Sequence, residues 1–420
     1  MNQLTQRIIE FNQDRVPKIV RMKYEAMSEN VYRFYRGTNH IFYEDLERSG
    51  SMPLSPAGWI CGDLHLENYG SYKGDNRLVY FDLNDFDEAI LAPVGWELAR
   101  MVTSIFVAFE SLRIEQKKAV KMAQLFLKSY SSHLAGGKPD YIEPKTAKGI
   151  VCEFLTHASK RKQRDILEKR TIVKKNRLAI LMEDPRHLGL KKELQQELSQ
   201  HLSEWLKNDG NSPYNYKVTD AVFRLAGTGS VGVKRYAFLL KSLNKEGEKY
   251  LLLDMKESKP SSLQPYCPLQ QPEWGSEAER IVSIQRRMQN RAPALLSTTH
   301  FRADSFVIQE MQPTKDSIDF KLIKKRYRDM YQVVDDMAML TASSQLRSAG
   351  RQGSASADDL IAFGQDPSWQ KDLLEYAIDY SVQVKEQYAH FVAEYANGAF
   401  RKPSRAKEPS PILAEVQEAG

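Results

Sequence analysis

The sequence predicts an α+β protein of two lobes, a largely helical one and a smaller sheet lobe set into it in mid-chain. Three observations predict this. Apolar residues at helical spacing recur on both sides of a single strand-rich block. Two short apolar runs, Trp59-Ile60-Cys61 and Leu78-Val79-Tyr80-Phe81, each lead into a cluster of oxygen-bearing side chains. From Lys217 the pattern changes to strands around Gly227-x-Gly229-Ser230-x-Gly232.

A chain of 420 residues can bury a full core and form two lobes. Hydrophobic content of 42% with 27% charged residues excludes a fibre or wholesale disorder. Met1-Asn2-Gln3-Leu4 does not open an export signal, and no apolar stretch approaches a membrane span, so no membrane partner is expected. Cys61, Cys152 and Cys267 lie far apart and cannot all pair, which suits a reducing cytoplasm. The net charge of +6 is mild. Its concentration between Lys160 and Arg177, nine Lys or Arg against Asp165 and Glu168, reads as a solvated helix face. An acidic partner such as RNA is the less favoured reading of that stretch.

Residues 1–50 form a helical entry segment, with Ile8, Ile9, Phe11, Val16, Ile19, Val20, Tyr24 and Met27 at helical spacing. Arg36 follows, suited to a phosphate by its fork of donors or to an ordinary salt bridge. Residues 51–110 carry Gly62-Asp63-Leu64-His65-Leu66-Glu67-Asn68 and, after the second apolar run, Phe81-Asp82-Leu83-Asn84-Asp85-Phe86-Asp87. Two neighbouring strands would deliver Asp63, Asn68 and Asp82 to one end of a small sheet. There Asp63 could take a proton from a hydroxyl, while Asn68 and Asp82 hold a hard cation, magnesium rather than zinc. His65 is read as packing in the loop, with metal or substrate contact as the alternative. Asp85 and Asp87 could bind a second cation or a basic acceptor, or cap the following turn.

A helix from about Trp96 presents Leu98, Met101, Val102, Ile105 and Phe109 as one stripe. Residues 111–215 continue helical, broken near Gly136-Gly137, Pro144 and Pro185. Residues 216–312 hold three antiparallel strands, ending in Tyr250 to Lys256, then a Pro-rich connection, a helix from about Ser276 to Asn290, and a strand from Ser305 to Met311. A glycine-rich first turn lets backbone amides approach phosphates, and Lys256 can neutralise them. Residues 313–400 read as helices, from Lys321 to Arg347 and from Trp369 to Tyr395, around a mobile loop from Ser348 to Gln365. Residues 401–420 read as a loose tail.

The spacing of five residues from Asp63 to Asn68 and nineteen to Asp82 resembles the catalytic loop of protein-kinase-like enzymes. It is similar to the aminoglycoside phosphotransferase branch, with Cys61 where that branch has His before Gly-Asp. Tyr35-Arg36-Gly37, the run Gly62 to Gly70, Asn84-Asp85-Phe86-Asp87-Glu88 and Gly227 to Gly232 resemble domain of unknown function family 2252, of bacterial type. The resemblance implies a bilobal kinase-like fold using ATP and Mg2+. It also implies that Glu97 braces the catalytic loop, that Glu279 pairs with Lys256 (Glu277 and Gln285 remaining open), and that Gln309-Glu310-Met311-Gln312 is a hinge for adenine. Because the glycine turn follows Asp63 in the chain, the fold would be circularly permuted. The implied activity is phosphate transfer from Mg-ATP to a small-molecule acceptor. Alternatives are AMP transfer, a non-catalytic ligand or RNA binding module, and a two-metal phosphohydrolase drawing on Asn39-His40.

Overall fold

The computed structural model describes residues 3–13, 15, 17–174, 176–182, 187–225, 232–244, 249–311 and 316–400. It shows a mixed helix and sheet protein of the α+β kind. The entry segment is four helices rather than one: α1 (Gln3–Phe11), α2 (Pro17–Ser28), α3 (Val31–Gly37) and α4 (Asn39–Ser49). Asn30 caps α3 by accepting from the Arg33 amide, and Gly50 ends α4 in the left-handed conformation.

The strands β1 (Ala57–Ile60), β2 (Tyr69–Lys73), β3 (Val79–Leu83) and β4 (Ile90–Pro93) come next. They form two small sheets, not one. β1 pairs with β4, and β3 pairs with β2, so the two apolar runs are neighbours through loops and not through a ladder. The helices α5 (Val94–Ser111) and α6 (Gln116–Ala135) follow. α5 is buried around nearly its whole circumference, its polar Glu97 and Arg100 included, and is a core helix.

The helices α7 (Gly149–Lys160) and α8 (Gln163–Arg170) lead into a hairpin of β5 (Thr171–Lys174) and β6 (Arg177–Ile180). The basic stretch is therefore helix plus hairpin. Ile166 and Ile180 are buried against Val222, Ala237, Leu239, Leu252 and Met311, while Val173 is exposed.

The sheet lobe contains β7 (His187–Leu188), α9 (Lys192–Asn208), β8 (Tyr216–Arg224), β9 (Arg235–Ser242), β10 (Tyr250–Glu257), α10 (Glu277–Met288), β11 (Ser297–Phe301) and β12 (Asp304–Glu310). Its six strands run β11-β12-β10-β9-β8-β7 with antiparallel neighbours. Side chains alternate between the faces. Tyr236, Phe238, Leu253 and Met255 pack with Leu194, Leu198, Leu202 and Trp205, the apolar stripe of α9. Arg235, Asp254 and Lys256 fall on the other face, beside the patch that Ile166 covers.

The chain returns to the helical core with β13 (Asp316–Ser317), which pairs with β2, then α11 (Phe320–Ile323), α12 (Tyr327–Ser348), α13 (Ala357–Gln365) and α14 (Trp369–Ala396). The expected mobile loop from Ser348 to Gln365 is corrected in its second half. Ser356 and Asp359 form a capping box, and α13 buries Leu360 and Gly364, the latter where an added Cβ would meet Ala135 N at 2.6 Å. The tail beyond residue 400 lies outside the described residues. Cys61, Cys152 and Cys267 are free thiols. No described helix is long and apolar enough to cross a membrane.

Within α12, burial and the neighbouring Asp335 push the Asp336 carboxyl up to about 7, and its Oδ2 has no hydrogen-bond partner. A carboxyl raised in the folded state favours folding below its unfolded pKa of about 4 and loses that contribution as pH rises through about 7. Asp336→Asn is expected to raise the melting temperature by several degrees at about pH 8 and to leave it unchanged near pH 4. Thermal melts across that range measure the difference.

Candidate functional site

Asp63 sits on the turn after β1, where Gly62 has φ +78. A Cβ on Gly62 would lie 2.2 Å from the Glu88 carbonyl oxygen, so only glycine lets the two acidic loops close on each other. Glu97, in the first turn of α5, holds the approach to this turn. It is buried, its Oε1 accepts the Cys61 amide at 2.6 Å, and its Oε2 accepts from Gln345 Nε2 at 3.1 Å. Burial pushes its carboxyl up, against the pull of those bonds.

One turn further along α5, Arg100 is fully buried and sends both Nε (3.2 Å) and Nη2 (2.9 Å) to Asp63 Oδ1. The guanidinium lies 3.7 Å from the centroid of the Tyr35 ring, and Nη2 also donates to the Tyr35 carbonyl at 3.0 Å. Both Arg100 bonds fall on one carboxylate oxygen. The other, Oδ2, is left toward His65, 3.9 Å away. Burial raises the Asp63 carboxyl pKa and Arg100 opposes it.

His65 is buried, and burial with Arg36 and Arg100 nearby keeps it neutral. Arg36 Nε points at its Nε2 (3.1 Å) and the Glu67 amide at its Nδ1 (3.1 Å); a neutral ring has one lone pair to offer and accepts from one of them. Arg36 also pairs with Glu67. The packing reading of His65 and the salt-bridge reading of Arg36 describe what these side chains do here.

Asn68, expected as a metal ligand, bonds to backbone on both loops. Its Oδ1 accepts the amides of Asp85 (2.8 Å) and Asn84 (3.3 Å), while Nδ2 donates to the carbonyls of Asp63 (3.0 Å) and Asp85 (3.3 Å). Both functions of the amide are used to staple the two loops together. Asp82 is the other expected ligand. It is 2% exposed and accepts from the Leu83 amide at 2.9 Å, with Arg347 Nη2 at 3.5 Å from its Oδ2. Burial raises its pKa and Arg347 opposes this. It belongs to the core beneath β3, not to the crevice.

Asp85 and Asp87, on the loop after β3, are less buried than Asp82. Asp85 is exposed and close enough to Asp63 to disfavour its charge. Asp87 meets the Lys256 ammonium in an ion pair across the seam between the lobes. Arg235, one strand over from Lys256, feels both Asp85 and Asp87. It lies beside the buried Asp254, whose pKa, despite burial, Arg235 and Arg224 hold well below the ordinary range.

Glu279 is corrected as the partner of Lys256. It is exposed, and its carboxylate accepts the Gly275 amide at 3.0 Å, closing the first turn of its own helix. Glu277 is taken by Arg280 at 2.6 Å. What α10 directs at the site is Arg280, which is buried and donates to the carbonyls of Asp87 (2.9 Å), Lys259 (2.9 Å) and Ala89. Glu88 is likewise fixed, by the Ser262 amide at 2.6 Å and hydroxyl at 2.9 Å. Sequence reasoning missed Arg100 and Arg280 because charged residues on helices usually face water.

Glu310 and Met311 are also corrected. Glu310 pairs with Arg77, and the Met311 amide donates to the Leu252 carbonyl at 2.8 Å while its side chain is buried under Ile166. Gly227, Gly229 and Ser230 lie outside the described residues. Gly232 has φ +108 and stands against Arg15 of the entry segment, 2.8 Å from an added Cβ to the arginine Cβ. His40 stacks on Phe11 at 3.7 Å. Among the described residues no three His, Cys, Asp or Glu gather as a metal-holding group.

A family model described as "Uncharacterized protein conserved in bacteria (DUF2252)" matches residues 15–394. The chain belongs to the DUF2252 family. No curated protein and no solved structure matches it. The family match spans both acidic loops, the glycine-rich turn and Lys256, so the site just described lies wholly within the DUF2252 region.

Removing Arg100 would leave Asp63 as an unpaired, largely buried charge. Arg100→Leu is expected to cost on the order of 3 kcal/mol of stability near neutral pH and less in acid, where Asp63 is protonated. Urea unfolding at two pH values reads the difference.

Proposed function

We propose that this DUF2252 protein is an ATP-dependent phosphotransferase of kinase-like, circularly permuted architecture, acting on a small-molecule acceptor. The observation that carries the reading is the Lys256–Asp87 ion pair. It joins a lysine on β10, the neighbour of β9, to the loop after β3 that carries Asp85 and Asp87. A strand lysine, a glycine turn and two loops of carboxylates are the parts that phosphoryl transfer requires, since most of its catalysis is positioning and charge neutralisation.

The roles follow from the contacts. Asp63, held through Oδ1 by Arg100, keeps Oδ2 for an acceptor hydroxyl and can receive its proton. Lys256 would exchange part of its hold on Asp87 for phosphate oxygens, with the amides around Gly232 beside them. The donor set offers only hard oxygens, which fits Mg2+. Asp85 and Asp87 would hold the ion, in place of Asn68 and Asp82, with water and phosphate oxygens completing its shell. The ion would offset charge developing on the transferred group.

The stapling of Asn68 and the clamp of Arg280 keep these groups at fixed separations. Transfer of AMP uses the same groups with the nucleotide reversed. ATP labelled separately at the alpha and gamma phosphates, incubated with the protein in a cell extract, distinguishes the two by which label moves. Asp63→Asn is expected to lower transfer about 10²- to 10⁴-fold. Asp85→Ala should abolish magnesium-dependent turnover, while Asp82→Asn should retain it. Full turnover by Asp85→Ala would defeat the metal assignment.

A further inference from the structure

Lys23, on α2, is the most unusual charge in the molecule. It is 1% exposed, its Nζ donates to Asn12 Oδ1 at 3.2 Å, and no carboxylate contacts it among the described residues. Burial, with Arg15 nearby, pushes its pKa well below the ordinary lysine value, so the ammonium form is costly here unless an anion completes its surroundings. The acids that it feels, Glu88 and Asp63, each have a nearer partner: Ser262 for Glu88 and Arg100 for Asp63. They leave the lysine's charge without a counter-ion in contact.

The surroundings repeat the pattern. His40 is 4% exposed with both ring nitrogens lacking a hydrogen-bond partner, and its ring stacks on Phe11, whose centroid is 5.4 Å from Lys23 Nζ and 4.9 Å from the Arg15 guanidinium carbon. Lys23, Arg15 and Arg100 are the charges that His40 senses most closely, together with Arg7. Next to His40, Asn39 donates to the Gly62 carbonyl at 3.2 Å while its own Oδ1 has no partner, so the cluster is one peptide away from Asp63. Arg100 Nη1 is also without one. Buried polar atoms without partners in such number mark a place that water or a ligand fills.

We propose that Lys23, His40 and Arg15 line a buried anion site beside Asp63, and that it seats the phosphate or carboxylate of a hydroxyl-bearing acceptor. The identity of the bound group as an acceptor rests on the phosphotransferase reading; the anion site does not. The four helices α1 to α4, which reach the crevice through Arg15, Lys23, Arg36 and His40, then act as the part of the protein that selects its substrate. The class excluded is a cationic acceptor, which Arg15 and Lys23 would repel.

The test is calorimetric titration of the full chain with inorganic phosphate and with malonate, which separates a phosphate-bearing from a carboxylate-bearing acceptor. Saturable binding of either is expected. Lys23→Met should weaken it about tenfold to a hundredfold, the loss of a charge-assisted bond. His40→Phe, which keeps the stack on Phe11, should weaken it by a smaller factor and serves if Lys23→Met fails to fold. Lys256→Met is the control for the nucleotide side, where free phosphate can also meet that lysine, and it should weaken the binding less than Lys23→Met does. No saturable binding of either anion, or equal affinity in Lys23→Met or in a folded His40→Phe, overturns the site. Loss in Lys256→Met alone overturns it too, because the anion would then sit on the nucleotide side. Anion binding that follows this pattern in a protein without ATP turnover supports the site and removes the phosphotransferase reading alone.

Discussion

The ion pair between Lys256 and Asp87 crosses the seam between the sheet lobe and the helical core, and much of the surrounding structure serves to hold its acidic partner still. A flexible loop offering a carboxylate to a lysine gains little, because the entropy of ordering both offsets the attraction. Here the loop is ordered in advance. Arg280 grips its carbonyls from one side, Ser261 and Ser262 bind Glu88 from another, and Asn68 fastens Asp85 from below. Glu97 and Arg100 do the same for Asp63 from a single face of α5. The two acidic loops are thus fixed by side chains that themselves sit on helices packed in the core.

This arrangement divides the buried charges into two kinds. Arg280, Glu97 and Asp254 are held within the protein and set geometry, as does Arg100 through its bonds to Asp63. Two other buried polar side chains are incompletely paired among the described residues: Lys23, which donates only to Asn12, and His40, whose ring nitrogens both lack a partner. Groups of the first kind define distances, and groups of the second kind favour a ligand that completes them.

Much of the fold was legible in the sequence where the period was strong. The α5 stripe, α14, the β9 and β10 strands and the position of Lys256 follow from periodicity and turn residues alone. The short elements were not. α13 carries a readable capping box in Ser356 and Asp359, but its Gly and Ser-rich approach outweighed it. β1 and β3 could be recognised as strands, whereas their assignment to different sheets depends on β2 and β4, which carry weak patterns of their own. Asp63, Asp87 and Lys256 could be singled out because loop carboxylates and a strand-end lysine stand out, and Asp87 and Lys256 meet in the structure. Asp82 and Asp85 lie three residues apart in one run of carboxylates and amides, and spacing cannot say which of them the strand buries. Glu279 was chosen by type, and the helix phase, with Ala278, Ile281, Val282 and Gln285 inside, turns it to solvent. Arg100, Arg280 and Lys23 had no signal, because a buried cation and a surface cation are the same letter.

Gly62 has a consequence for how the crevice can change. With a hydrogen in place of a side chain, its backbone lies against the Glu88 carbonyl, so the spacing between the two carboxylate-bearing turns is set by van der Waals contact of main chain on main chain. Such a stop resists compression steeply. Opening and closing motions in this molecule would accordingly be carried by the sheet lobe hinging over a floor of constant width, and sequence drift in either turn would have to respect a clearance fixed by the other.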